Sequence, residues 1–158
     1  MLESLGAIGA LGDLVEKLLK AYQKANKGKL STMRAVLTEM RLNFERIDDY
    51  FRGGNPIHQV IGTLSVTALK EALFDSDFDF NNFKRKKIRV RKLFEDPDYF
   101  YLNYDGWTTE RMFNNLYEKI VRLQEISREY GDNPRYRLGV RLGNIRKMMV
   151  LLLLHLQA

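Results

Sequence analysis

The 158-residue sequence predicts an all-α protein: a single-domain bundle of about five antiparallel helices with a long basic and aromatic insertion between the third and fourth. Three observations predict it. Apolar residues recur at intervals of three and four over several long stretches, which gathers them on one face of a helix. Alternating apolar and polar runs of the kind that build half-buried strands are nearly absent. Two short turns of matching chemistry, Gly53-Gly54-Asn55-Pro56 and Gly131-Asp132-Asn133-Pro134, separate periodic stretches and read as connections of helical hairpins.

Helix one is expected over residues 2–26. Leu11, Leu14 or Val15, Leu18, Tyr22 and Ala25 form its stripe, and Gly28 stops it. Ser31 then reads as the cap of helix two, whose core face is Met33, Leu37, Met40, Phe44, Ile47 and Phe51. Its opposite face carries Arg34, Glu39, Arg41, Glu45, Arg46 and Asp48. Asn55 and Pro56 suit the N-cap and first position of helix three, which runs over 56–74 without a formal charge between Ile57 and Leu69. A helix so apolar belongs in the middle of a bundle. Helix four begins between Asp105 and Thr108 and turns Trp107, Phe113, Leu116, Ile120, Leu123 and Tyr130 inward. Helix five, from Pro134, shows Leu138, Leu142, Ile145, Met149, Leu152 and Leu156 in heptad order. Gly139 and Gly143, one turn apart, admit close approach of a neighbouring helix.

The insertion spans 75–105. Residues 82–94 suit a short helix, with Phe83, Val90 and Phe94 facing in, or a short strand through the alternation Lys87-Ile88-Arg89-Val90-Arg91; the helix is preferred. Eight aromatics between Phe78 and Tyr104 are expected to pin the excursion to the bundle.

Composition bounds the function. Hydrophobic and charged shares of 45% and 29% are those of a folded domain rather than a disordered one. The absence of cysteine removes disulfides, thiolate metal sites and cysteine nucleophiles, and fits a reducing cytosol. The first basic residue is Lys17, so no secretory leader is read, and the apolar run 148–154 is far shorter than the roughly 20 residues that span a bilayer. A cytoplasmic protein, peripheral at the membrane if it contacts one, is expected. The net charge of +6 is uneven. Residues 84–92 (KRKKIRVRK) hold seven basic residues and 133–158 five more, neither stretch with an acid; the remainder carries fourteen basic residues against twenty acidic. An acidic body with two basic patches favours an anionic partner.

The chemistry-bearing motifs are few. Asp75, Asp77 and Asp79 open like a calcium loop, but Phe80 and Lys86 stand where that loop needs glycine and a bidentate glutamate. These acids are better suited to pairing with the basic run. His155, behind four leucines, reads as a packing residue. No metal ligand set, cofactor loop or nucleophile arrangement is recognised, so an enzyme is not expected. Arg52 and His58 do match the Arg-x(4–6)-His spacing of HEPN ribonucleases, themselves helical bundles; that resemblance implies a third-ranked reading in which these two residues are catalytic. The run Lys84, Arg85, Lys86, Lys87, Arg89, Arg91 and Lys92, with Arg135, Arg137 and Arg141, is the expected surface for lipid headgroups or nucleic acid. Phe83 and Phe94 flank it, placed for base stacking or interfacial anchoring.

Leu2, Leu5, Ile8 and Leu11, punctuated by Gly6, Gly9 and Gly12, make a weak apolar helix able to enter a headgroup region. This segment leading a helical bundle resembles the HeLo-type cell-death domains and their bacterial counterparts, the Bell domains. The resemblance implies a defence or cell-death module that contacts membranes through those positions after oligomerising. The leading expectation is therefore a non-enzymatic module acting on a membrane or another protein, including a second copy of itself. A nucleic-acid-binding helical domain using 84–92 is the alternative.

Overall fold

In a computed structural model of the chain, the described residues are 8–23, 29–131 and 133–158, the side chains of 8–12, 22 and 23 excepted. They form eight α-helices and no strand. Leu2, Leu5 and Gly6 lie outside the described residues, as do the side chains of Ile8 and Leu11. Gly9 and Gly12 fall within α1 (Ile8–Gln23).

Helix α1 packs Leu14, Val15, Leu18 and Leu19 against α2 (Leu30–Phe51). Met33, Leu37, Met40, Phe44 and Ile47 of α2 are buried as their spacing requires. Phe51, the last of the series, is 49% exposed, because the helix ends there and its ring reaches only the edge of a later helix at Gly143. The cap differs too: Lys29 precedes the first turn and no side chain caps it, so Ser31 lies inside the helix.

The segment read as one apolar helix over 56–74 is two, α3 (Ile57–Thr63) and α4 (Thr67–Phe74), because Leu64 turns extended (φ −62°, ψ 138°). Breaking a buried helix orphans its backbone groups. Here α2 supplies the partners. Glu39 accepts from Ala68 N (3.0 Å), Leu69 N (2.9 Å) and Ser65 Oγ (2.7 Å). Asn43 accepts from Ser65 N (2.9 Å) and donates to Ser65 O (2.7 Å). Gln124, from across the fold, donates to the carbonyls of Ile61 and Leu64. Glu39 and Asn43 are therefore buried, and Glu39 and Asp48 leave the solvated face expected of them.

The long helices α7 (Thr109–Tyr130) and α8 (Leu138–Gln157) pack along their length in opposite directions. Thr108 caps α7 by accepting from Arg111 N. Tyr130, expected inward, is 47% exposed at the helix end. Asn133 caps only a 3-10 turn (Pro134–Tyr136), after which Arg137 turns left-handed and α8 begins at Leu138 rather than Pro134. The last third of α8 is enclosed on nearly every side, from Met148 to Leu153 and again at His155 and Leu156, so α8 takes the central place expected of residues 56–74. Arg146 ties it to α2 by a 3.2 Å ion pair with the buried Asp48.

Candidate anion-binding site

The basic run is held by the start of α7. Ile88 and Val90 are fully buried while Lys87, Arg89 and Arg91 are exposed. Up to Arg89 the run is not the helix preferred from the sequence, and Arg89 itself is extended (φ −123°, ψ 87°); helix is confined to Val90–Leu93 (α5) at its end. Clustered like charges disfavour a helix, where residues four apart repel, and β-branched Ile88 and Val90 favour extension. Ile88 N donates to Trp107 O (2.9 Å) and Gly106 N to Ile88 O (2.8 Å). Gly106 sits at φ +82°, a conformation glycine adopts without steric cost. Asp105 accepts from Val90 N at 2.9 Å. A second short helix, α6 (Tyr99–Leu102), stacks Tyr101 on Phe94 (4.4 Å) and rests on α8 through a Lys147–Asp98 ion pair (2.8 Å).

Most of the aromatic pinning is present, with Phe78, Phe80, Phe83, Phe94, Tyr101 and Tyr104 buried; Tyr99 is the exception at 80% exposed. Burial takes Phe83 and Phe94 out of reach of a nucleic-acid base and of a membrane interface alike, so both the stacking and the anchoring expected of them are withdrawn. The aspartates do not pair with the run: Asp75 accepts from Asp77 N and Asp79 from Asn81 N, each closing a local turn.

This framework leaves a recess of about 520 Å³ walled by Lys84, Lys86, Lys87, Arg89 and Lys92, with His155 and Ala158 from α8 at its base. Five of the seven basic residues of the run converge on it; Arg85 and Arg91 do not line it. Lys84 is the most enclosed: its Nζ donates to Ala158 O, and burial, then the charge of Lys86, lowers its pKa. His155 is 3% exposed, with Nε2 2.9 Å from Thr109 Oγ1. The Thr109 hydroxyl donates to Lys84 O (2.7 Å), so it accepts from His155 Nε2–H, which fixes the neutral tautomer. Burial and the Lys84 charge lower the His155 pKa to about 4. At neutral pH the recess is thus a concave cluster of cations over a neutral imidazole, with no Asp or Glu side chain among its described lining residues.

Arg135, Arg137 and Arg141 are elsewhere. They line a second recess, of about 410 Å³, near the start of α8, where Lys119 and Arg122 of α7 join them. Lys119 and Arg122, three apart on a polar face, gave no sign of this in the sequence; only the pairing of α7 with α8 reveals it. Of the third-ranked catalytic pair, Arg52 bonds Asp48 at 2.8 Å. His58 sets Nδ1 3.1 Å from Ser127 Oγ, in a third recess with Gln124 and Arg128. Among the described residues no three His, Asp or Glu side chains gather as a metal set, and no helix is long and apolar enough to cross a membrane. No protein-family profile, curated protein or solved structure matches the chain.

Proposed function

We propose that the protein is a non-enzymatic helical module that docks on anionic membrane surfaces, seating a lipid phosphate in the recess formed by residues 84–92. The observation that carries this reading is the convergence of Lys84, Lys86, Lys87, Arg89 and Lys92 on one concavity with no Asp or Glu side chain among its described lining residues. Clustered Lys and Arg contribute about 1 kcal/mol each near an anionic leaflet, so the four exposed ones, Lys86, Lys87, Arg89 and Lys92, supply roughly 4 kcal/mol before any apolar contact. Lysine suits this role, as a mobile point charge that follows headgroups. Burial of Phe83 and Phe94 disfavours single-stranded nucleic acid, which depends on exposed rings for stacking. Tyr99, exposed on α6, supplies an amphipathic ring of the kind that lies at headgroup depth. The apolar positions Leu2, Leu5, Ile8 and Leu11 would be a second contact, which fits the defence or cell-death role that the HeLo and Bell resemblance implies.

Cosedimentation with vesicles of phosphatidylcholine, with and without phosphatidylserine, tests the reading. The protein should bind only the anionic vesicles, and Lys86→Glu with Lys87→Glu and Arg89→Glu should abolish binding without lowering the melting temperature. Deleting residues 1–12 should leave this first, electrostatic binding and remove leakage. Retention of the charge-reversed variant on anionic vesicles, or tighter binding of an oligonucleotide than of vesicles at the same salt concentration, would refute it.

A further inference from the structure

We propose that the recess between α7 and the start of α8 is a second, separate binding site, for a small ligand carrying two or more linked phosphates. It is lined by Lys119, Arg122, Arg135, Arg137 and Arg141, with Tyr136. Among the described residues no carboxylate lines it, and none of the five cations forms an ion pair. The chain has twenty acidic residues from which to draw counter-charges. Five like charges on one concavity repel each other, and a bound polyanion relieves that repulsion. Four of the five are guanidiniums, whose planar forks match phosphate oxygens two at a time. A single carboxylate would leave most of them unmatched.

The geometry is also set in advance. Arg141 donates Nε to Tyr136 O at 2.8 Å, which orients its fork while leaving the terminal nitrogens for a ligand. Tyr136 is stacked on Tyr130 at a centroid distance of 4.3 Å. Arg137 is the only non-glycine residue at positive φ among the described residues (φ 50°, ψ 52°). Glycine would occupy that conformation at no steric cost, so an arginine there gives up stability for a side chain at that place, as residues at binding sites do. The recess volume lies in the range of small-molecule sites. It is also remote from the 84–92 recess: Arg141 and His155 are fourteen residues apart on α8, about 21 Å at 1.5 Å per residue.

The test is calorimetric titration with inorganic triphosphate, and in parallel with a nucleoside triphosphate, at fixed ionic strength. Both should bind. Tighter binding of the nucleoside arm would assign the Tyr136 ring to the base, and equal binding would assign the site to the phosphate chain alone. The decisive variant is Arg137→Gly, which relieves the backbone and should melt no lower than the parent, yet bind triphosphate tenfold or more weakly. Lys86→Glu with Lys87→Glu, in the other recess, should leave triphosphate affinity within twofold, so failure of the membrane reading would not touch this one. Unchanged affinity in Arg137→Gly, loss of binding in the Lys86/Lys87 variant alone, or no heat with triphosphate at millimolar concentration would overturn the proposal.

Discussion

Acidification should expose the enclosed imidazole of His155 as a weak point in the fold. With Nε2–H committed to Thr109, a second proton on the ring must go to Nδ1, inside the protein and close to the Lys84 ammonium. The folded pKa is about 4 against 6.5 for the ordinary group. A depressed folded value means that, between pH 6.5 and 4, the unfolded chain takes up a proton that the native state refuses, so stability falls as pH falls through that window. At about 1.4 kcal/mol per pH unit the full gap is worth roughly 3 kcal/mol, a sizeable share of a typical 5–15 kcal/mol total. Urea melts at pH 7 and pH 4.5 measure it. Carboxylates titrate over part of the same range, so the comparison is with His155→Gln, whose amide still donates to Thr109 but does not ionise. The parent should lose roughly 2–3 kcal/mol more than the variant on acidification. Imidazole NMR reads the pKa directly, since the chain has two histidines and His58→Gln assigns them. A His155 titration near 6.5, or equal acid losses in parent and variant, would refute the reasoning.

Two further predictions concern the framework. Glu39→Ala strips acceptors from two backbone N–H groups and a hydroxyl at the start of α4, and should cost about 3–5 kcal/mol in a denaturant melt. Glu39→Gln, which keeps one acceptor oxygen, should lose less. Gly106→Ala meets no neighbouring atom, so its cost is the backbone strain alone, about 1–2 kcal/mol in the same melt, while Gly106→Val should cost more.

The long helices and their core faces were legible because one physical signal, apolar residues every three or four positions, is both necessary and local; Met33 to Ile47 and Leu138 to Leu156 show it plainly. The break at Leu64–Val66 was not, since the groups that hold it, Glu39 and Asn43, lie 22 to 30 residues away from their partners and flank the apolar stripe of α2 as ordinary polar residues do. The extended form of the basic run was within reach. Its alternation was visible, and the choice of helix overlooked how poorly like charges tolerate one. That eight of the ten basic candidates divide into two recesses, one completed by His155 and the other by Lys119 and Arg122, depends on how the run and α7 lie against α8, and no local pattern carries that information.

The side chains that close the α3–α4 break come from both halves of the chain, which bears on the order of events during synthesis. Glu39 and Asn43 emerge from the ribosome before the segment they hold, whereas Gln124 follows Ile61 and Leu64 by 63 and 60 residues. A nascent chain that has released only α1 to α4 therefore leaves those two carbonyls without their Gln124 donor, and the apolar faces of α2, α3 and α4 without α7 and α8 to cover them. Long-range closures of this kind slow folding, and exposed apolar surface in the interim invites association. The central helix follows every element it packs against, so the core cannot close until α8 has left the exit tunnel.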